Sequence, residues 1–266
     1  MPEGDTVWLA AQRLNGALAG AVLTSSDFRV PSLATADLVG QRVVEVVPRG
    51  KHLLARLDSG LTLHTHFQMD GSWHLYRRGE KWRGGPAHQI RVVLGTDRWD
   101  AVGYRLPVVE LVATGEESQV VGHLGPDLLG PDWDEDEAAR RILAEPARTI
   151  GEALLDQRNV AGIGTLYRAE TLFLARLHPR TPAADVPDLR ELLSTARTLL
   201  QRNRKHPQQT TTGDLRRGFQ HWVFGREGRP CRRCGTPIRL EEFGPLAQER
   251  RSFWCPRCQP TAAASG

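Results

Sequence analysis

Two groups of residues carry chemistry that their types alone suggest. The first is the N-terminus, Met1-Pro2-Glu3-Gly4-Asp5. Methionine before proline is ordinarily removed, which would leave Pro2 with a free secondary amine. An α-amine titrates near 8, well below lysine, so a useful fraction is unprotonated near neutral pH. Such an amine can attack an electrophilic carbon and hold it covalently as an iminium. Glu3, next in the chain, could move the protons that such a reaction needs. Many chains begin Met-Pro with no catalytic purpose, and exposure at the surface is the usual fate of glutamate, so this pair needs support from elsewhere. The second group is Cys231-x-x-Cys234 and Cys255-x-x-Cys258, all four cysteines of the chain within 28 residues. In a reduced cytoplasm disulfides are a poor explanation. Paired knuckles at this separation suit one tetrahedral zinc held by four thiolates. A closed four-thiolate site leaves no open position, so this metal is expected to be structural. It would contribute on the order of 10–16 kcal/mol to a segment too short for its own core.

Charge is unevenly spread. The chain of 266 residues has a formal net charge of +4. Residues 201–260 hold 13 Arg and Lys against 5 Asp and Glu, a balance of +8, which leaves −4 for the rest. That basic end is either a solvated surface or a patch that meets phosphates. The composition, 40% hydrophobic and 25% charged, is that of a globular protein able to bury a core without disulfides. No apolar run approaches the roughly 18 residues of a membrane span, and the acidic, polar start is not expected to act as a signal peptide. The expected setting is the bacterial cytoplasm, close to the nucleoid.

The elements that must position these residues come in two kinds. Val7, Leu9, Ala10, Leu14 and Leu18 have helical spacing. From residue 21 to about 125 the chain reads as short strands in series, among them Arg42-Val43-Val44-Glu45-Val46-Val47, His52-Leu53-Leu54-Ala55-Arg56-Leu57 and Leu61-Thr62-Leu63-His64-Thr65-His66, with Asp58-Ser59-Gly60 as a hairpin turn. That pattern predicts a sandwich or barrel. The acidic run Asp132-Trp133-Asp134-Glu135-Asp136-Glu137 follows Gly130-Pro131 and suits a link or the first turn of a helix. Beyond it the pattern predicts helix to about 224, interrupted at 160–164, at His178-Pro179 and at His206-Pro207. Ala161-Gly162-Ile163-Gly164 is a tight glycine turn between two helices.

Four motifs stand in register over nearly the whole chain: Met1-Pro2-Glu3-Gly4, the lysine of Arg49-Gly50-Lys51-His52, the stretch Leu155-Asp156-Gln157-Arg158-Asn159-Val160-Ala161-Gly162-Ile163-Gly164, and the tail Phe253-Trp254-Cys255-Pro256-Arg257-Cys258. Leu124-Gly125-Pro126-Asp127 and Val223-Phe224-Gly225-Arg226-Glu227-Gly228 add to them. Together they resemble the formamidopyrimidine-DNA glycosylase and endonuclease VIII family. The start Pro-Glu-Gly, and the lack of an Asp-Pro-Arg-Arg-Phe run at 105–112, lean toward the endonuclease VIII branch.

The resemblance implies an α+β protein of two domains. Residues 1–130 form an N-terminal catalytic β-sandwich with flanking helices, 131–138 an acidic linker, 139–224 a helix-two-turn-helix DNA-binding domain, 225–260 a four-cysteine zinc-finger hairpin and 261–266 a frayed tail. It implies a bifunctional glycosylase and lyase acting on damaged double-stranded DNA and abasic sites as a monomer, with oxidised pyrimidines favoured. Pro2 would be the Schiff-base nucleophile and Glu3 a proton donor. Lys51 would donate the proton for β-elimination, and Arg250 would contact phosphate and serve δ-elimination, with Arg251 beside it. Gln68, Met69 and Asp70 occupy the positions of a Gln-Leu-Tyr loop that fills the gap left by a flipped base. Asp70 departs from that pattern, since a carboxylate does not stack and repels phosphate, so the filling falls to Met69 unless Met69 is simply core. Gly164 and the turn before it offer backbone N–H groups to phosphate at a helix start. Thr165 stands where the family has asparagine, and can still donate one hydrogen bond or cap the helix. Two other readings fit the cysteines and the charge: a purine-directed glycosylase of the same fold, and a zinc-dependent protein that binds DNA without catalysis.

Overall fold

The computed structural model describes residues 2–243 and 250–261. The chain divides into two compact units, 1–123 and 124–266.

The first unit starts with α1 (Gly4–Leu18), then β1 (Ser25–Phe28), β2 (Val43–Arg49), β3 (His52–Leu57), β4 (Leu61–His66), β5 (Ser72–Arg77), β6 (Ile90–Gly95), β7 (Trp99–Tyr104), β8 (Val108–Ala113) and the short α2 (Ser118–Val121). The strands form two four-stranded antiparallel sheets, ordered β1-β6-β7-β5 and β2-β3-β4-β8. The β-sandwich expected from the strand pattern is present. One apolar core takes Val7, Ala11, Leu14 and Leu18 from α1, Phe28, Val92, Leu94 and Ala101 from the first sheet, and Val46, Leu53, Ala55, Leu57, Leu63 and Val109 from the second. The helical spacing read at 6–18 is the stripe that α1 buries.

The second sheet departs from simple alternation, because β3 and β4 are buried on both faces. Odd-numbered Leu53, Ala55, Leu57 and Leu63 face the core. The opposite face carries His52 and Arg56 on β3, Thr62, His64 and His66 on β4, and Glu110 on β8, since side chains alternate along a strand. Those polar side chains are paired. Arg56 donates to Glu117 at 2.8 and 2.7 Å and to Glu45 at 2.6 Å, and Thr62 donates to Glu117 at 2.7 Å. Buried polar groups persist only when satisfied in this way.

The second unit holds α3 (Glu135–Leu143), α4 (Ile150–Ala153), α5 (Thr165–Leu174), α6 (Leu189–Asn203), β9 (Arg239–Phe243) and β10 (Arg250–Trp254). The acidic run lies inside this unit. Asp134 caps α3 by accepting from Glu137 N, and Glu135, Asp136 and Glu137 occupy the first turn, where the helix dipole favours acids. The helical pattern does not run on to 224 as the sequence suggests. The last helix ends at Asn203, and residues 204–224 are turns. Asn203 closes the helix by donating to Leu199 O and Thr210 O and accepting from Thr210 N. The turn at Gly213 has φ +82°, a conformation that interrupts a helix. β9 and β10 pair antiparallel, Arg251 opposite Glu242 and Trp254 opposite Arg239.

Candidate active site and metal centre

Pro2 is half-buried and Glu3 has no exposed surface. Glu3 is the N-cap residue of α1, with extended backbone and no side-chain cap bond. The surface fate expected by default for a glutamate is therefore wrong here. A carboxylate taken out of water needs compensation, and a helix N-terminus supplies part of it through its dipole. Asp5, in the same first turn, is 2% exposed. Helix α1 packs on β2, and β2 leads through Gly50, φ +57°, to Lys51. Lys51 is half-buried in the tight β2–β3 turn and interacts electrostatically with His52 and His66.

Gln68, Met69 and Asp70 follow β4 and are all exposed. Met69 is 61% exposed, which removes the reading of Met69 as core. Gln68 sits at φ +45°, a left-handed conformation costly for a side-chain-bearing residue, and so does Arg105 at φ +48°. Arg105 is tied to the same loop two residues on from Gln68: its Nε donates to Asp70 O at 3.1 Å, and its guanidinium also donates to Gln89 Oε1 at 2.6 Å. A cavity of about 340 Å³ lies beside this loop, lined by Gln68, Met69, Asp70, Arg91, Arg105, Leu106 and Pro107. Sequence reasoning passed over Arg105, whose only signal was a lone arginine between a strand end and Leu106-Pro107.

In the second unit, the turn before α5 is stitched by Gln157. Its amide donates to Leu155 O at 2.9 Å and Ile163 O at 3.0 Å, while its oxygen accepts from Gly162 N at 3.0 Å. Arg158 and Arg148 bind Asp156 and hold its carboxyl well below the usual range. Gly125 runs against this turn, and a Cβ there would lie 2.5 Å from Asn159 O, which accounts for glycine at that position. Gly164 is the N-cap of α5 and Thr165 its first residue, both buried. Residues 165–173 of α5 are buried on every side. Arg168, fully buried, donates to Arg251 O at 2.8 Å and so ties α5 to β10. Arg251 is exposed. Arg250 starts β10, and its side chain lies outside the described residues, as do residues 262–266 of the tail.

The four cysteines converge, with all four sulfurs within 4.8 Å of one another. Cys231 Sγ lies 3.9 Å from Cys258 Sγ, and Cys234 Sγ lies 3.4 Å from Cys255 Sγ. Four thiolates about 2.3 Å from one tetrahedral ion would stand about 3.8 Å apart, so the set fits a metal ion. Hydrogen bonds from Thr236 draw the Cys234 thiol down to about 6, while burial pushes Cys258 up to about 12. A divalent cation would even out that spread by binding all four as thiolates. Around the cluster, Ala169, Phe173, Val223, Ile238 and Phe253 form a small core. Glu170, fully buried on α5, accepts from the backbone N–H of Trp222, Val223 and Phe224, each at 2.8 Å, and from the Thr211 hydroxyl.

Known proteins agree with this arrangement. Residues 1–122 match the formamidopyrimidine-DNA glycosylase N-terminal domain, and residues 124–213 match the formamidopyrimidine-DNA glycosylase H2TH domain. A probable endonuclease 8 2 of Streptomyces coelicolor is 56% identical over 97% of this chain and 94% of its own length. The DNA-(apurinic or apyrimidinic site) lyase Nei2 of Mycolicibacterium smegmatis is 44% identical over 97% of this chain and 99% of its own. In fold, a Lactococcus lactis formamidopyrimidine-DNA glycosylase bound to DNA containing an abasic site superposes with a TM-score of 0.81 at 22% identity, covering 98% of this chain and all of that one. No described helix is long and apolar enough to cross a membrane.

Proposed function

The chain belongs to the formamidopyrimidine-DNA glycosylase and endonuclease 8 family, and on that premise we propose that it is a bifunctional DNA glycosylase and abasic-site lyase whose nucleophile is the Pro2 amine. The observation that carries the proposal is Glu3: a carboxylate with no exposed surface, joined directly to the residue whose amine reacts. A protein that only bound DNA would need no particular N-terminus, whereas an acid held beside the first amine suits the reaction.

The Pro2 nitrogen attacks C1′ of the damaged nucleotide. The C1′–base bond breaks, and the base leaves with a proton. Glu3 protonates the sugar ring oxygen as the ring opens, which gives an iminium between Pro2 and C1′. Loss of the C2′ proton then expels the 3′ phosphate in β-elimination, with Lys51 as proton donor. A second elimination, served by Arg250, expels the 5′ phosphate. Water releases the sugar fragment and restores the amine. Met69 fills the gap left by the flipped base, flanked by Gln68 and Asp70. The α5 N-terminus at Gly164 and Thr165, together with Arg250 and Arg251, grips phosphates, which positions the strand without reading its sequence. Cys231, Cys234, Cys255 and Cys258 hold one structural zinc, which keeps β9 and β10 in place. The protein works as a monomer on duplex DNA in the bacterial cytoplasm. The Pro-Glu-Gly start and the lack of an Asp-Pro-Arg-Arg-Phe run lean toward the endonuclease VIII branch, as the endonuclease 8 names of close relatives do, and on that leaning the preferred substrates are oxidised pyrimidines rather than purines.

Borohydride trapping on abasic DNA tests the mechanism. The expected adduct maps to residue 2, whereas an adduct on a lysine, or none, overturns it. Duplexes carrying single defined lesions then test the substrate preference.

A further inference from the structure

Among the described residues, Gln68, Arg105 and Arg176 are the only ones besides glycine with a positive φ. Two of the three bear on one loop of the first unit: Gln68 lies in it, and Arg105 donates to it. Glycine holds such a backbone without strain, so an arginine kept at φ +48° points to a use for its side chain.

The loop 67–71 is pinned at both ends. Gln68 N–H donates to His66 Nδ1 at 3.0 Å, and Gly71 N–H donates to Phe67 O at 2.8 Å. A Cβ at Gly71 would lie 2.6 Å from Phe67 O, so the turn needs glycine there, and Phe67 itself is anchored in the sandwich core. The third bond comes from Arg105 Nε to Asp70 O at 3.1 Å. Arg105 is in turn fixed twice by Gln89, its N–H donating to Gln89 O at 2.7 Å and its Nη1 to Gln89 Oε1 at 2.6 Å. Gln89 ends the 3₁₀ turn Ala87–Gln89 that leads into β6. Gly85 makes room for the pair: a Cβ there would lie 2.9 Å from Gln89 Oε1 and 3.3 Å from Arg105 Nη1. Between the pinned neighbours, Met69 stands exposed. A side chain that enters a base stack does so at less cost when its backbone is already ordered, because ordering it on binding loses conformational entropy.

We propose that Arg105, oriented by Gln89, is a positioning residue that orders the loop in advance, so that Met69 enters the stack from a fixed backbone. This rests on the gap-filling role given to Met69 above. The bond is made to a main-chain carbonyl, so it is independent of the side chain at position 70. That is the position at which Asp70 departs from a Gln-Leu-Tyr loop, and the clasp keeps the loop in place across that change.

The test uses the full protein and has two readouts. Single-turnover rates are compared for wild type, Arg105→Gly, Met69→Ala and the double variant, on a paired damaged base and on a preformed abasic site. Arg105→Gly removes the guanidinium and keeps the backbone free of strain, so the melting temperature should hold. Excision of the paired base should slow about fivefold, the worth of one solvent-facing hydrogen bond. Cleavage at the abasic site, where flipping costs least, should change by less than about twofold. Added to Met69→Ala, Arg105→Gly should cost nothing more, because a residue that acts through Met69 then has nothing to position. The salt slope of binding should match that of the wild type. Additive losses in the double variant, equal losses on the two substrates, or a shallower salt slope overturn the proposal; the last would make Arg105 a direct phosphate contact. Should Arg105→Gly fail to fold, Gln89→Ala, which unhooks the guanidinium and leaves Arg105 in place, carries the same comparison. The second readout needs no DNA. Nitrogen-15 relaxation of the Met69 and Asp70 amides should give order parameters of about 0.85 in the wild type and below about 0.6 in Arg105→Gly and Gln89→Ala. A loop already mobile in the wild type, or equally ordered in the variants, overturns the proposal. An inactive wild type would strike the functional reading and leave the clasp to be judged on the relaxation.

Discussion

The two compact units keep their buried polar groups in order by different means. In residues 1–123, cross-strand register does it: Arg56 with Glu117, and Glu110 with His64 and His52, meet because their strands pair, over a sandwich core of 19 buried apolar residues that holds without them. In residues 124–266, the region around the cysteines has, among its described residues, only a small core, to which Cys231 and Cys255 themselves belong. It is held instead by single buried charges, Glu170 on three successive backbone N–H groups and Arg168 on β10. Chemistry in the first unit can then be deleted without unfolding it, whereas around the cysteines the buried charges are themselves part of what holds the chain. Substitution of the reacting residues in the first unit should lower activity more than melting temperature, and substitution of the buried charges around the cysteines, Arg168 and Glu170, the reverse.

The largest expected effect is metal removal. Chelation, or Cys255→Ser, should remove on the order of 10 kcal/mol of stabilisation from residues 225–261. Hydrogen exchange should show that segment opening while the sandwich amides stay protected. Equal loss of protection in both units would break the comparison. Next comes Glu3→Gln. It keeps the shape and removes the acid, so base excision should fall by about 10² to 10⁴ while lesion binding and melting temperature hold. A large drop in melting temperature would make Glu3 structural and place it with the second unit's charges.

Glu170→Gln sharpens the other side. One of its oxygens becomes a donor facing backbone donors, which should cost about 3 kcal/mol of stability in denaturant unfolding. Activity at saturating protein should fall less than binding. A neutral result would mean that water replaces the carboxylate easily. The smallest effects separate affinity from base flipping. Met69→Ala removes the exposed loop tip and should slow excision of a paired damaged base about tenfold, out of a flipping cost of a few kcal/mol, with far less effect at ready-made abasic sites. Arg250→Ala should weaken every substrate alike and reduce the salt slope of binding by about one. Similar losses for Met69→Ala on both substrates would count against gap filling.

Local patterns were legible. Helical spacing at 6–18, strand alternation at 42–66 and the knuckle spacing of the cysteines all correspond to elements that are present, because each rests on neighbours a few residues apart. The stretch 204–224 misled, since its polar residues carry no strong period and its path is set by Glu170, more than thirty residues upstream. The pairing of Glu110 with His64 had a faint trace, Thr62, His64 and His66 alternating along one strand. Alternation says which face a residue takes and nothing about which residue of β8 lies opposite it.

The sequence by itself determined the chemistry that short-range geometry can specify. Two C-x-x-C knuckles bring four sulfurs together wherever the hairpin folds, and Pro2 and Glu3 are neighbours by covalent bond. Only the tertiary structure decided which ordinary residues become unusual. Glu3 loses all contact with solvent, Met69 keeps most of its own, and Arg105 reaches the Asp70 carbonyl from 35 positions away. Glu110 and His64 meet across 46 positions. Burial and strand register arise from packing the whole unit at once, and a side chain's acidity and exposure follow from them.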